Sequence, residues 1–315
     1  MARKLFIIGN GFDCYGHGLR TTYSDFRKYL VEKYPSYNYE FDGILESVTM
    51  PDGDEQYDMD DLIGSIISAI DNCAGETWGN LEASIGIDYA NNVLDKTDWF
   101  FNDVDWNEED DDEIKNSIYN NQDNAESVTN GFIKIRELFN EWVFEILAQI
   151  DFKKVKKIRK PSFRNALFLN FNYTSTIEDL YKVPANRVCH IHGFAKDSKS
   201  EILFGHGTEE NLQTPSSFFG IQDAFNSLVE FMEKDTAGAI KRNQFFFNNL
   251  NKINRIYSYG FSFSNVDMCY IDEISKQINP KKVKWYFNKF DWDNNPEYIQ
   301  KIRNYGYKVC KCRRW

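Results

Sequence analysis

A short apolar run that stops at a glycine-rich turn opens the sequence and constrains its fold more than any other feature. In the stretch LFIIGNGFDCYGHGL, residues 4–8 have the pattern of a buried strand, and glycines follow at positions 9, 11, 16 and 18. Residues 23–34 then repeat apolar side chains at helical spacing until Pro35. A strand, a glycine-rich turn and a helix in this order predict the start of an α/β domain.

Short apolar runs alternate with helical patterns from residue 165 onward. The runs NALFLNFNY, RVCHIHGF, EILFGHG, INRIYSYGFS and VKWYFN have strand character, whereas SNVDMCYIDEISKQI and NPEYIQKIRNYGY have helical character. This alternation predicts an α/β fold with a mainly parallel, Rossmann-like sheet. We expect residues 1–35 and 165–315 to form the core and residues 36–164 to form a mostly helical insertion.

Charge is distributed unevenly along the chain. The net charge is −11, and residues 103–126, which hold ten acids and one base, are expected to form an acidic loop or the exposed edge of a helix. The net charge argues against nucleic acid as a partner. No apolar stretch is long enough to cross a membrane, so we expect a cytoplasmic protein without a membrane partner. The six cysteines include no C-x-x-C pair, so no structural metal site is expected.

The glycine-rich turn is the first candidate site. Glycine allows a ligand to approach the backbone amides, so Gly9, Asn10 and Gly11 could cradle a phosphate. The spacing departs from the G-x-G-x-x-G dinucleotide fingerprint, however, and a structural tight turn is an equally good interpretation.

Histidine and asparagine supply the candidate catalytic groups. Three of the four histidines, at positions 17, 192 and 206, precede glycine, a placement typical of strand ends. In CHIHG, alternation puts His190 and His192 on one face, and His192 is the better candidate for proton transfer because it stands last before the turn. Asn172 could hold a ribose hydroxyl or a water molecule, although asparagine before threonine is also common turn chemistry. Ser262 and Asp267, after Gly260, could line a nucleotide pocket or cap a helix.

Together, these motifs resemble the bacteriophage abortive-infection AbiH family. The segments that carry the resemblance are LFIIGNGFDCYGHGLRTTYSDF, WGNLE at 78–82, NFNYTSTIE, HIHG, ILFGHG and IYSYGFSFSNVD. Membership implies phage defence.

A more distant resemblance implies a reaction. The order of the motifs is similar to that of sirtuin-like domains, including defence effectors that hydrolyse NAD. The comparison matches Gly9, Asn10 and Gly11 to a phosphate loop, Asn172 to the residue that positions ribose or water, and His192 to the general base. It matches Gly260 and Ser262 to nucleotide contacts, and Asp13, His17 and Asp267 complete the expected binding set. The zinc cysteines of sirtuins are missing, so the resemblance does not extend to protein deacylation.

Three functions follow from these hypotheses. The first is an NAD glycohydrolase-like enzyme that takes NAD or a related nucleotide as its substrate, holds no tightly bound cofactor and is activated by homo-oligomerisation or a phage-derived partner. The second is a nucleotide-binding sensor without turnover. The third is a metal-dependent hydrolase or nuclease built on histidine and aspartate, which lacks a compact ligand signature such as H-E-x-x-H.

Overall fold

The computed structural model describes residues 3–38, 45, 47–51, 55–74, 87–103, 111–207 and 218–315. Two compact units divide the chain. One contains Met1–Thr22, Asn140–Leu203 and Asp235–Trp315, and the other contains Tyr23–Phe139 and Phe204–Lys234. The motif WGNLE at 78–82 and residues 104–110 of the acidic stretch lie outside the described residues.

The described residues form eight strands and twelve α-helices. The strands are β1 (Lys4–Ile8), β2 (Ser47–Thr49), β3 (Glu55–Tyr57), β4 (Ala166–Asn170), β5 (Val188–His190), β6 (Arg255–Tyr259), β7 (Lys284–Phe287) and β8 (Lys308–Lys311). The helices are α1 (Asn10–His17), α2 (Tyr23–Lys33), α3 (Met59–Ala74), α4 (Ile87–Thr97), α5 (Asp111–Ile133), α6 (Ile135–Glu145), α7 (Gln222–Met232), α8 (Thr236–Arg242), α9 (Gln244–Asn248), α10 (Met268–Gln277), α11 (Lys289–Asn294) and α12 (Pro296–Asn304). A single π-helical turn spans Thr176–Leu180.

The first unit is built on a six-stranded parallel sheet, which confirms the predicted Rossmann-like α/β fold. Its strand order is β5-β4-β1-β6-β7-β8, and every neighbouring pair is parallel. Numbered along the chain within this sheet, the order is 3-2-1-4-5-6, which is the order of dinucleotide-binding α/β sheets. The chain leaves β1 toward one side of the sheet and later returns to the other side, so β1 and β6 border the topological switch point.

Both faces of this sheet are buried, because alternate residues of each strand enter different cores. Leu5 and Ile7 pack into a cluster with Trp285 and with Tyr270 and Ile274 of α10. The opposite face carries a stacked row of rings from four adjacent strands, in the order Phe168, Phe6, Tyr257 and Tyr286. Phe12 of α1 packs on this second face. Coverage on both sides explains why the strands read as continuous apolar runs.

The predicted glycine-rich turn after β1 is largely helical. Helix α1 begins at Asn10, directly after Gly9, and ends where Gly18 adopts a left-handed conformation with φ of 68°. The amide of Gly18 donates to the Cys14 carbonyl and that of Leu19 to the Asp13 carbonyl, which closes the helix end. The glycines at 9 and 18 therefore bracket a two-turn helix, and the predicted helix at 23–34 follows as α2.

Two other segments differ from the sequence prediction. The run EILFGHG is not a strand, because its backbone bonds lie outside the sheet: the Leu203 amide donates to the His192 carbonyl. Strand β5 ends at His190, so His192 lies in the turn that follows rather than on the same strand face.

Most of the described part of the acidic stretch is helical. Residues 111–126 belong to α5, in which Asn121, Ala125 and Val128 form a buried stripe at helical spacing. This buried stripe explains a helix despite the many acids, of which Asp112, Glu113, Asp123 and Glu126 are exposed.

The second unit is mostly helical. Helix α5 packs against α7, and α3 packs against α4, with Ile63, Ile67 and Phe225 in the buried interior. Strands β2 and β3 form a separate antiparallel pair. Within the described ranges, no helix has the length and apolar character needed to cross a membrane.

Candidate functional site

The segments that carry the predicted site residues all follow the C-terminal ends of adjacent parallel strands. Ile8 of β1 pairs with Asn170 of β4 and with Tyr259 of β6, and Asn170 pairs with His190 of β5. These four residues define what we call the carboxyl edge of the sheet. In open α/β sheets, ligands bind outside this edge at the switch point. The fold therefore brings the early glycine loop, the Asn172 segment, the His192 segment and the Gly260 segment to one edge.

Gly9, Gly11 and Gly260 lie where two backbone segments cross in direct contact. A Cβ atom on Gly260 would lie 2.4 Å from the Cα of Gly11, and one on Gly9 would lie 2.3 Å from the Gly260 carbonyl oxygen. Gly260 also has a φ of 63°, which side chains disfavour. The amides of Gly9 and Gly11 donate to the Tyr259 and Gly260 carbonyls at 3.0 and 3.1 Å. These glycines therefore hold the two loops together, and two of the amides proposed for a phosphate cradle are already hydrogen-bonded.

Asp291 stabilises the crossing of the Gly9–Gly11 and Gly260 segments, and the sequence did not predict this role. It lies on α11, beyond the C-terminal end of β7, and its buried carboxylate accepts a hydrogen bond from the Gly260 amide. Asn288 and Asn295 also donate to it. Burial raises the pKa of Asp291 to about 6. The only sequence signal for this role was the spacing of Asn288 and Asp291, which is typical of a helix cap.

Asp13 is a fully buried carboxyl group inside α1. Its Oδ2 accepts a hydrogen bond from the Thr174 hydroxyl, and Thr174 in turn contacts the Thr176 hydroxyl at 2.9 Å. Burial raises the pKa of Asp13 to about 6, while the Thr174 and Asn172 side chains act to lower it. The structure thus brings Asp13 beside Asn172, as a ligand-binding or loop-restraining role would require.

We expect the substitution Asp13→Asn to change how stability depends on pH. The folded-state pKa of about 6 lies above the ordinary value of 3.8, so the folded state binds this proton more tightly than the unfolded state. Stability from this group is therefore present below about pH 4 and is lost as pH rises through about 6. Relative to the wild type, Asp13→Asn should gain about 3 kcal/mol in free energy of unfolding across that interval.

Urea denaturation at several pH values between these limits measures the difference. Asp95→Asn, which changes an exposed acid on α4, serves as the matched control and should give no such gain. Parallel stability curves for Asp13→Asn and the wild type would contradict the assignment.

Asn172 presents a buried carboxamide that lacks ordinary partners. The residue is 5 % exposed, and among the described residues neither Oδ1 nor Nδ2 has a partner in good hydrogen-bond geometry, although the carboxamide lies close enough to Asp13 to lower the pKa of that carboxyl group. Its backbone is held firmly: its amide donates to Asn170 Oδ1 at 3.2 Å, and its carbonyl oxygen lies 3.1 Å from His190 Nδ1. Buried polar groups are nearly always satisfied, so a carboxamide held in this way indicates a place for a water molecule or a ligand.

His192 lies against a carboxylate in an aromatic pocket. Its Nε2 atom lies 3.3 Å from Asp267 Oδ1, and both side chains are almost completely buried. The ring packs edge-on against Phe171, with 4.9 Å between centroids, and also contacts Tyr270. Asp267 was expected to bind a cofactor directly, and the structure places it where it can orient the His192 imidazole.

His190 is occupied by different partners. Its Nε2 atom lies 2.8 Å from Glu178 Oε1, and its ring stacks on Phe194. Because its Nδ1 contacts the Asn172 carbonyl, His190 supports the backbone of the Asn172 segment.

Three other predicted binding residues lie in structural or exposed positions. The ring nitrogens of His17 contact the Phe12 carbonyl at 2.6 Å and the Tyr181 hydroxyl at 2.7 Å, and burial lowers the pKa of this imidazole. Asn10 is exposed, and its Oδ1 accepts a hydrogen bond from Thr21. Ser262 is also exposed. His206 lies in the other unit, where its Nε2 contacts the Val229 carbonyl.

An open groove of about 600 Å³ lies apart from these residues. It runs between residues 150–157 and the π-helical turn, and none of the predicted site residues lines it. In the part of the chain that the structure describes, no three histidine, cysteine, aspartate or glutamate side chains cluster as a metal-binding group.

Comparison with known proteins gives one match. The sequence profile of the family described as "Bacteriophage abortive infection AbiH" matches residues 5–289, which include every predicted site residue. No curated protein and no solved structure matches the chain significantly.

Proposed function

Because the chain belongs to the bacteriophage abortive infection AbiH family, we propose that its sheet-containing unit binds NAD or a related nucleotide and hydrolyses the nicotinamide–ribose bond. The family supports a role in phage abortive infection, and loss of NAD would halt the metabolism of an infected cell. The similarity of the motif order to that of sirtuin-like domains supports NAD as the nucleotide. The strand order 3-2-1-4-5-6 supports a dinucleotide at the switch point.

The observation that carries this proposal is the buried carboxamide of Asn172. Neither of its polar atoms has a partner in good hydrogen-bond geometry among the described residues, although Asp13 is near and the backbone is fixed by Asn170 and His190. A carboxamide offers a donor and an acceptor from one group, which suits a ribose hydroxyl or the attacking water. The neighbouring Asp13 adds a carboxyl group that could accept from a ribose hydroxyl.

The chemistry requires few groups from the protein. The bond between the ribose carbon and the nicotinamide nitrogen breaks, and its electron pair neutralises the cationic ring. Water oxygen then bonds to the oxocarbenium-like ribose carbon, and one proton of that water must be accepted. Asn172 holds the water or the ribose in position, and His192 accepts the proton. Because Nε2 of His192 faces Asp267, Nδ1 is the atom that receives it.

Release of nicotinamide from NAD is the direct test. The full chain, incubated with NAD alone and with an extract of phage-infected cells, should yield nicotinamide and ADP-ribose in equal amounts. Asn172→Ala should lose this activity. If neither condition releases nicotinamide, the enzymatic proposal is overturned.

Asp267→Asn tests the pairing of Asp267 with His192. The isosteric amide keeps the packing but removes the carboxylate that lies against the imidazole. We expect turnover to fall about 100-fold, because the imidazole loses the group that fixes its orientation. Initial rates of nicotinamide release measure the effect.

Glu273→Gln supplies the matched control for this experiment. Glu273 is a poorly exposed carboxylate on α10, and it pairs with Lys276 and Gln277 instead of His192. Its substitution should leave turnover unchanged. An equal loss of rate in Asp267→Asn and Glu273→Gln would mean that Asp267 has only a structural role.

Burial of the site favours a second candidate function, nucleotide sensing without turnover. His192 is 3 % exposed and Asn172 is 5 % exposed, so a nucleotide reaches them only when neighbouring residues move. Such a movement could be the signal itself. Tight binding of NAD or ADP-ribose in calorimetry, with no product after hours, would favour this function. Under either function we expect a phage-derived activator or self-assembly to trigger the opening.

A further inference from the structure

The opposite end of the sheet carries a concentration of positive charge. Six lead-in segments bring the chain to the N-terminal ends of the six parallel strands; they are residues 3–4, 160–165, 184–187, 251–255, 279–284 and 305–308. Together they contain eleven lysine and arginine residues and no aspartate or glutamate. Nine of the eleven are exposed and two are half-buried. In a chain of net charge −11, this is a strong local reversal of sign.

Four of these bases stand in one row across adjacent strands. In the sheet register Lys4 pairs with Arg255, Arg255 with Lys284, and Lys284 with Lys308. Neighbouring strands lie about 4.8 Å apart, and residues paired in this way project from the same face of the sheet. Like charges placed directly opposite each other are unfavourable. We call the end of the sheet marked by this row and the lead-in segments the amino edge.

The positive charges of this row are not neutralised by acidic side chains in the described part of the chain. None of its four members forms an ion pair with any residue in the described ranges. Burial and the nearby Arg255 lower the pKa of Lys4. Burial, Lys157 and Lys4 lower the pKa of Lys160. The bases therefore repel one another across this edge, and an external polyanion would relieve that repulsion.

The other groups at this edge indicate which polyanion fits. Each lead-in segment from 160–165 through 279–284 contains an exposed asparagine; these are Asn165, Asn186, Asn251, Asn254 and Asn279. Asparagine together with lysine and arginine is typical of contacts to phosphate and sugar. An anionic membrane would also need apolar anchors, but among the described residues the exposed large apolar side chains all lie outside the lead-in segments.

We propose that the amino edge is a nucleic-acid-binding surface that contacts the sugar–phosphate backbone without reading base sequence. This inference departs from the expectation drawn from net charge, because the acids that dominate the sum lie elsewhere, ten of them in residues 103–126. The surface is separate from the nucleotide site, since the two occupy opposite ends of the same strands. It gives a phage-defence protein a direct means of contact with nucleic acid.

Fluorescence anisotropy with labelled DNA and RNA of about 20 nucleotides tests the proposal on the full chain. The triple variant Arg255→Gln, Lys284→Gln, Lys308→Gln removes three members of the row. Wild-type affinity should fall steeply between about 50 mM and 200 mM salt. The triple variant should bind at least about ten-fold more weakly, and the slope of log affinity against log salt should be smaller by about three.

The matched control removes the same charge from other exposed sites. Lys199→Gln, Lys289→Gln, Arg313→Gln changes one loop residue and two residues that follow the C-terminal ends of β7 and β8. This control should bind like the wild type, and thermal unfolding should show that both variants are folded. Equal affinity in the two triple variants, absence of binding by the wild type, or binding only to phosphatidylserine vesicles would each overturn the proposal.

Discussion

His192→Ala is expected to reduce nicotinamide release by a factor of about 10² to 10⁴, which is the usual contribution of a general base. The Nε2 atom of the imidazole lies 3.3 Å from the carboxylate of Asp267, and both side chains are almost completely buried. Its ring packs on Phe171 and Tyr270, so the reacting atoms would meet it in a site shielded from bulk water. Because little water can reach the site to replace the imidazole as proton acceptor, its removal should cause a large loss of rate.

Two companion variants separate chemistry from packing. His192→Gln keeps most of the side-chain volume and should be as inactive as His192→Ala, while its urea denaturation midpoint should lie closer to that of the wild type. His17→Gln changes an imidazole whose ring nitrogens are held by Phe12 and Tyr181, and it should lower stability yet retain most of the turnover. Full turnover in His192→Ala, with undiminished growth arrest in cells, would remove His192 from the mechanism.

Gly260→Ala is expected to be the most destabilising small substitution at the carboxyl edge. The added Cβ would meet Gly11 Cα and Phe12 N at 2.4 Å, and the residue would be held at a φ of 63°. The clash involves backbone on both sides, so no side-chain rotation relieves it. We expect a loss of at least about 4 kcal/mol in free energy of unfolding, which is a large part of the stability of an ordinary domain.

Two alanine substitutions divide this effect into its causes. Gly18→Ala places alanine at a φ of 68° with no atom within 4 Å of its Cβ. Its free energy of unfolding should fall by only about 1 to 2 kcal/mol, which is the cost of a left-handed backbone conformation. Gly9→Ala keeps an extended backbone, with φ of −110°, but its Cβ meets Gly260 at 2.3 Å, so its loss of stability should come from the steric clash alone. Urea denaturation measures all three variants. If Gly260→Ala is no worse than Gly18→Ala, the close crossing of the two loops is not required for stability.

Local pattern was sufficient for the class of the fold and for much of the candidate site. The apolar run at residues 4–8 and the alternation of strand and helix patterns after residue 165 predicted a parallel α/β sheet, because buried strands and amphipathic helices differ in period. The same pattern placed Asn172, His192 and Gly260 at the ends of strands. Since parallel strands end at one edge, these residues could be expected to lie near one another.

Pairings between distant segments could not be predicted in this way. The sequence predicted a turn where α1 begins at Asn10, because glycines near a strand end are typical of turns. The close contact of Gly9 and Gly11 with Gly260, which also requires glycine, joins segments about 250 residues apart and has no local signal. The sequence assigned Asp267 to a ligand but did not show that its carboxylate lies 3.3 Å from His192 on another strand connection. Asp291 was overlooked because its partner, the Gly260 amide, becomes visible only when β6 and β7 are side by side.

The amino-acid sequence by itself therefore determined the class of the fold, most of the strands and helices of the sheet-containing unit and the chemical groups at their ends, because these depend on neighbours a few positions away. Tertiary structure alone decided the order β5-β4-β1-β6-β7-β8 and, with it, the crossing of Gly11 with Gly260, the pairing of His192 with Asp267 and the alignment of four bases at the amino edge. The physical reason is that each of these contacts joins residues far apart in the chain. Such contacts form only when the packing of the whole sheet has selected one set of neighbours for every strand.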